Sequence, residues 1–359
     1  MQKLKSTLRV LFPTRRKAVV RLGVAAILAW ALLVGLGNAS SSIGVFATAI
    51  APWVCALTAA WALVAFALRD WKAGVAFTLL VGIMAMAFQL VPYQVPIKAV
   101  PQSLKPHVIT SVQVVEVNAL LGTASPMALT RLVRARQADF LVIAESNDSF
   151  LNPGLIKAGM QKLLPYHYSV DPAFDPATLP GSKYASSLPA LRNPIGNAIW
   201  SKWPISGERR VPGTLNPTLA IDVKIHNFPF TVVATRVQNP LLDRTEWAHD
   251  MAAIAMFVPT VPKSHRLIVA GDFNSTFGHA PFNAVLATGL DDAQARVNWP
   301  WARYSFPTFL RPDQPPAPPF MQIDHVLIGS GLWVNNAQTV VIPRTDHAAT
   351  AVELWVTRR

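Results

Sequence analysis

RLIVAGDFN (266–274) decides the fold. Its apolar run Leu267–Ala270 reads as a buried strand, and the strand ends on Gly271, Asp272, Phe273 and Asn274, a polar turn that a rigid strand would hold in place. Working outward, DFLVIAE (139–145) repeats the pattern, an apolar strand ending in a carboxylate. HVITSVQVVEVN (107–118) has the alternation and β-branched content of a strand and ends on Asn118. GNAIWSKWPI (196–205), LAIDVKI (219–225) and FTVVATRV (230–237) read as three more strands, and QIDHVLIG (322–329) and TDHAATAVEL (345–354) close the chain. Helical spacing over 126–138, opened by Pro126, and over 243–258 places helices between strands. Strands alternating with amphipathic helices predict an α/β layer structure with two sheets. Residues 171–194 read as a long loop and 311–319 as a short Pro-rich one.

The ninety or so residues ahead of this region differ in kind. The chain has 359 residues, 52% hydrophobic and 14% charged, against a usual charged share of about 25%. That excludes a disordered chain. The single cysteine, Cys55, excludes an intramolecular disulfide and a zinc site built from several thiolates. Net charge is +13, yet residues 92–359 hold 23 basic and 18 acidic residues, a net of +5. Residues 1–21 hold seven basic residues and no acid, which reads as a topology signal rather than a nucleic-acid arm. Three apolar windows follow, 18–37, 43–68 and 73–91, each of the length a helix needs to span a bilayer and none with a polar face. We therefore expect a basic cytoplasmic tail (1–21), three transmembrane helices (22–91), a Pro-rich linker (92–106) and an extracytoplasmic catalytic domain (107–359). The loop 38–42 is uncharged and the turn 69–72 carries Arg69 and Lys72, which sets this orientation in a cell membrane.

Polar clusters fall just after apolar strands: Asn118, Glu145, Asp272 with Asn274, and the pairs Asp324-His325 and Asp346-His347. Carboxylates and amides without thiolates suit Mg²⁺, Mn²⁺ or Ca²⁺. Such an ion neutralises phosphate charge, a carboxylate beside an amide holds a water for attack, and a His oriented by an Asp stabilises the charge that develops. Asp324 and His325 are neighbours in a strand and face opposite ways, so Asp324 is assigned to the site and His325 to packing. The other histidines default to structural or solvent roles, Trp299 and Trp301 to loop packing.

The strings DFLVIAE, GNAIWSKWPI, VAGDFNST, QIDHVLIG and TDH, in this order and spacing, resemble the endonuclease/exonuclease/phosphatase superfamily, the fold of deoxyribonuclease I, over about residues 107–359. Three membrane helices ahead of such a domain also resemble its membrane-anchored glycopeptide-resistance-type members. The resemblance implies a four-layered α/β sandwich, two packed mixed β-sheets flanked by helices, here preceded by three transmembrane helices. It implies a metal site of Glu145, Asn118 and Asp346 for Mg²⁺ or Mn²⁺. Asp272 would orient or deprotonate the attacking water, Asn274 contact the phosphate, Asp324 pair with His347, and His347 contact the scissile phosphate.

One position departs. Arg236, in TRVQNP, stands where many members carry a His or Tyr near the leaving group. Arginine cannot act as a general acid at neutral pH but binds phosphate bidentately. A leaving group of low basicity, such as the phosphate of a diphosphate, needs protonation less than an alkoxide does. The expected function is therefore a membrane-anchored metal-dependent hydrolase of phosphate esters or phosphoric anhydrides. Its expected substrate is lipid-linked, a polyprenyl diphosphate first, at the extracytoplasmic face. The alternatives are an extracytoplasmic nuclease, for which nucleic acid would be the partner, a phospholipid or sphingolipid phosphodiesterase, and a catalytically silent binding domain.

Overall fold

A computed structural model describes residues 23–24, 27–28, 30, 41–87, 108–148, 151–170, 196–309 and 317–357. The basic tail 1–21, the linker 92–106 and the loop 171–194 lie outside the described residues, as does most of the first apolar window. The chain divides into two compact units, one built on N-terminal helices and one on two β-sheets.

In the helical unit the window 43–68 is broken into α1 (Ser42–Ala49) and α2 (Ala51–Ala67), bent by 60°. Pro52 sits in the first turn of α2 and offers no N–H to a continuing ladder. The third window forms α3 (Trp71–Ala87). Among the described residues no single helix is long and apolar enough to cross a membrane, although α1 and α2 together meet that length and composition. The expected three spanning helices are thus not confirmed among the described residues. Ala47, Ala51, Ala62, Ala65, Phe77 and Met84 pack together, while Ile43, Leu63, Trp71, Leu79 and Met86 are each more than 60% exposed.

The sheet unit runs β1 (Val108–Asn118), α4 (Pro126–Arg136), β2 (Phe140–Ser146), α5 (Leu151–Lys157), β3 (Tyr166–Val170), β4 (Gly196–Ser201), β5 (Ile205–Arg210), β6 (Leu219–Ile225), β7 (Phe228–Arg236), α6 (Arg244–Phe257), β8 (Arg266–Asp272), α7 (Ala280–Leu286), β9 (Asp291–Asp292), α8 (Ala293–Val297), β10 (Asp324–Ile328), β11 (Leu332–Val341) and β12 (Ala348–Thr357). One sheet has the order β11-β12-β1-β2-β4-β3 and the other β5-β6-β7-β8-β10-β9. Each is mixed: β1 and β2 run parallel, as do β7 and β8, and the remaining ladders are antiparallel.

Period-2 alternation builds the layers. Val112 and Val114 of β1 face the other sheet and share a core with Ile221, Val232, Ile268 and Val326, whereas Val115 and Val117 face the opposite way and pack with Leu129, Val133 and Leu155 of α4 and α5. The expected strand 196–205 is two strands in two different sheets. Lys202 N donates to Asp139 O, Trp203 N to Ser201 Oγ, and Pro204 has no N–H, so the ladder ends at Ser201 and the chain crosses over. The edge strands β3 and β11 carry no alternation that singled them out in the sequence. The two parallel crossovers, β1-α4-β2 and β7-α6-β8, bring four strand C-termini to one end of the sandwich. Asn118 pairs with Ala144 there, and Arg236 with Asp272.

Candidate active site

Alternation sends Asn118, Arg236, Asp272 and Asp324 into the space between the sheets, continuing the faces of Val114, Ala234, Ala270 and Val326. Asp272 and Asp324 are direct register partners across β8 and β10. Glu145 is different. Leu141 and Ile143 face the helices, and strict alternation would send Glu145 with them. A register shift between Ile143 and Ser146, with Glu145 at φ +55°, turns its carboxylate toward the other site residues. Gly271 has φ +147°, and a Cβ there would lie 1.9 Å from Thr235 O, so only glycine lets β8 approach β7 before the turn.

The side chains interlock. Asn118 Nδ2 donates to Glu145 Oε1 at 3.2 Å and to Asp272 Oδ2 at 2.9 Å, and Asn118 Oδ1 accepts from Leu120 N. The amide therefore separates two carboxylates and neutralises part of their repulsion. Glu145 Oε1 also accepts from Arg236 Nε at 3.0 Å, and Oε2 from Leu121 N at 2.9 Å. Burial pushes the Glu145 carboxyl up, but Arg236, the Leu121 amide, His347 and Asn118 outweigh it and hold the pKa below the ordinary value. Asp272 Oδ1 accepts from Asn274 N at 2.7 Å, and its Oδ2 from Asn274 Nδ2 at 3.0 Å. Asn274 Nδ2 also donates to Val237 O.

His347 Nδ1 lies 2.8 Å from Asp324 Oδ2. The Phe306 ring lies 4.8 Å from the His347 ring. Burial opposes the imidazolium, yet Asp324, Asp272 and Asp346 overcome it and push the His347 pKa up to about 10. Burial and then the Asp324 charge push Asp272 up to about 7. At neutral pH the centre thus pairs a carboxylate able to take a proton with a histidine that carries one.

Sequence reasoning missed four contributors. Thr345 Oγ1 donates to Asn118 O at 2.7 Å and accepts from His347 N, tying β1 to the final turn. Ser305 Oγ accepts from Asp324 N. Phe306 covers His347 from a loop with no periodicity to mark it. Glu116 lies two residues before Asn118 on the same face and is fully buried, with the Thr350 side chain favouring its charge. Burial and the charges of Asp324 and Asp272 raise its pKa well above the ordinary value. Its signal was legible as a carboxylate on the apolar face of β1.

Two arrangements could take a divalent cation. One oxygen or nitrogen each of Asp272, Asp324 and His347 lie within 4.8 Å of one another. There His347 Nδ1 is already paired with Asp324, so its Nε2 is the atom left for an ion. Glu145 and Asp346 form the second arrangement. Asp346 Oδ1 is buried without a hydrogen-bond partner, with His347 Nε2 3.8 Å from it; burial raises the Asp346 pKa, the His347 charge opposes that rise, and the Glu145 charge adds a smaller one. Carboxylate oxygens of this kind are the hard donors a divalent cation takes. Bound there, an ion would neutralise phosphate charge.

The Endonuclease/Exonuclease/phosphatase family pattern matches residues 116–347. No curated protein matches the sequence. Among solved structures, an endonuclease/exonuclease/phosphatase family protein from Leptotrichia buccalis is 14% identical with a TM-score of 0.52, over 68% of this chain and 99% of its own. An endonuclease/exonuclease/phosphatase from Beutenbergia cavernae is 18% identical with a TM-score of 0.51, over 69% and 72%. D. rerio TDP2, solved with single strand DNA product, is 12% identical with a TM-score of 0.53, over 68% and 99%. At these identities the likeness is one of fold.

Proposed function

The chain belongs to the endonuclease/exonuclease/phosphatase family of metal-dependent hydrolases acting on phosphate ester bonds, and from that premise we propose that it is a membrane-anchored phosphohydrolase of lipid-linked phosphates, a polyprenyl diphosphate first. The observation that carries the reading is Arg236, a guanidinium 3.0 Å from Glu145 at the end of β7, the position facing the leaving group by resemblance. A fixed cation there stabilises a departing phosphate by charge and hydrogen bonds, and it offers no proton to an alkoxide.

Asp272, with a pKa near 7, takes the proton of the attacking water, and Asn274 orients Asp272. His347, protonated and fixed by Asp324, stabilises charge on the phosphoryl oxygens. Glu145 and Asp346, with Asn118 buttressing Glu145, would hold Mg²⁺ or Mn²⁺, which would supply charge neutralisation at the phosphate. The apolar helices, with Ile43, Leu63, Leu79 and Met86 exposed, support seating in a bilayer. The seven basic residues of 1–21 support a cytoplasmic N-terminus and hence an extracytoplasmic sheet unit, reached through 92–106. Anchoring shortens the search for a substrate in the same bilayer.

The test is phosphate release from a polyprenyl diphosphate in detergent by the full chain with Mg²⁺ or Mn²⁺, alongside Asp272→Ala. Release that vanishes in the variant supports the reading. No release by either removes this substrate and turns the assay to phospholipid and sphingolipid phosphodiesters and to DNA. DNA is the second reading because a protein of the same fold was solved with a single strand DNA product. Mg²⁺-dependent plasmid nicking lost in Asp272→Ala would put it first.

A further inference from the structure

Beside the catalytic Asp324–His347 pair, strand β10 carries a second histidine–aspartate pair on its other face. Asp324, facing inward, bonds His347; His325, the next residue, faces outward and is fully buried. Its Nδ1 lies 2.6 Å from Asp292 Oδ2, and its Nε2 lies 2.9 Å from Ser275 O. Asp292 is itself fixed, because its Oδ1 accepts from Ala295 N at 2.7 Å and its Oδ2 from Gln322 Nε2 at 3.2 Å. Gln322 Nε2 also reaches Gln294 Oε1 at 3.1 Å, so the pair sits in a braced polar network. The His325 ring lies against two phenylalanines, with centroids 4.4 Å from Phe282 and 5.7 Å from Phe273.

These contacts converge on one short turn. Phe273 and Ser275 flank Asn274, whose backbone is left-handed at φ +46° and whose N–H and amide both hold Asp272. Asparagine tolerates that region better than most residues but does not choose it unaided. Ser275 is gripped twice, its carbonyl by His325 and its hydroxyl by Trp247 Nε1 at 3.0 Å. Phe273 N donates to Ile323 O at 2.9 Å. Packing alone would ask only for an apolar ring at 325; a ring with polar atoms at both ends, one on an aspartate and one on the turn's carbonyl, does more.

We propose that His325, oriented by Asp292, is a positioning residue that holds the Asp272–Ser275 turn in its catalytic shape through the carbonyl of Ser275. The proposal rests on the reading of Asp272 as the base. It assigns the second histidine of the chain's Asp-His pairs to the reaction without any contact to substrate.

The experiment compares the full chain with His325→Leu, His325→Gln and Asp292→Asn in detergent. Bis(p-nitrophenyl) phosphate with Mg²⁺ reports turnover, and amide hydrogen exchange of a peptide spanning 272–276 reports the turn directly. In His325→Leu we expect kcat to fall at least tenfold with KM unchanged, and exchange in 272–276 to speed up while the β1 and β2 peptides keep their protection. His325→Gln keeps a donor toward Ser275 O and recovers most of both readouts. Asp292→Asn, the milder variant should His325→Leu not fold, shifts both the same way to a smaller extent. Unchanged exchange in 272–276, or a Gln variant as impaired as the Leu variant, overturns the proposal and leaves His325 a packing residue. If wild type does not hydrolyse the probe, the phosphohydrolase reading is what fails on that ester, and the exchange arm still decides the positioning role.

Discussion

Arg236 Nε sits 3.0 Å from Glu145 Oε1, with 16% and 9% of the two side chains exposed, so a fixed cation rests on a carboxylate proposed to hold a metal. The pair also bridges the two sheets, β7 on one side and the bulged end of β2 on the other. In the proposed metal site, protein cation and metal ion would share this carboxylate.

That sharing predicts how Arg236→Met behaves. Removing the guanidinium leaves Glu145 buried beside Asn118 with its charge poorly compensated. The cost should be on the order of 2 kcal/mol, below that of a fully buried pair because some solvent remains. Saturating Mg²⁺ should recover much of the loss by neutralising Glu145. Urea denaturation with and without Mg²⁺ checks this, and an equal loss in both would remove the metal from Glu145.

Asp324 shifts both titrating partners of the centre, and its effect on pH dependence has a definite sign. Asp272 is raised to about 7 by burial and Asp324, and His347 to about 10 because Asp324 and other carboxylates outweigh burial. Activity should rise as Asp272 ionises near pH 7 and fall as His347 loses its proton near pH 10. Asp324→Asn removes the charge that raises both, so both limbs should move to lower pH. The His347 interaction stabilises the fold fully below its unfolded value of 6.5 and is lost as pH rises through about 10. Profiles of kcat/KM for wild type and Asp324→Asn read the first effect, and denaturation between pH 6 and 10 the second.

Gly271 is a backbone position where the site admits no side chain. Its φ of +147° and a Cβ 1.9 Å from Thr235 O mean that Gly271→Ala must push β7 and β8 apart. We expect a loss of about 3 kcal/mol or more. Gly289→Ala, also at positive φ but with nothing within 4 Å of the added carbon, should lose only about 1 kcal/mol. Similar urea midpoints for the two variants would contradict the close approach.

What the sequence disclosed follows from local physics. RLIVAGD and FLVIAE are apolar runs ending in carboxylates, so strand and site residue could be read together, and the opposed faces of Asp324 and His325 follow from period two alone. What stayed hidden depends on distant partners. Alternation by itself misdirects Glu145, and only the bulge at Ile143–Ser146 corrects it. The break at Ser201 depends on Asp139, more than sixty residues away in sequence, accepting Lys202 N. The bend between α1 and α2 was foreshadowed by Pro52, which the hydropathy of window 43–68 masks. Phe306 and Thr345 enter the site through loops, where no period exists to read.

Glu116 was readable, and it carries the last prediction. It lies on the inward face of β1 below Asn118, fully buried, and burial together with the charges of Asp324 and Asp272 outweighs the opposing Thr350 hydroxyl in raising its pKa well above 4.5. In the folded chain the group stays neutral to higher pH than in the unfolded chain. As pH climbs above about 4.5 the unfolded state ionises and gains free energy that the folded state does not share, so Glu116 makes stability fall with rising pH. Glu116→Gln has nearly the same volume and no proton to lose. It should flatten that fall, leaving the variant relatively more stable than wild type at pH 8.5 than at pH 4.5. Urea midpoints of both proteins at the two pH values decide it; parallel shifts would mean that Glu116 is ionised in the fold and answered by a cation.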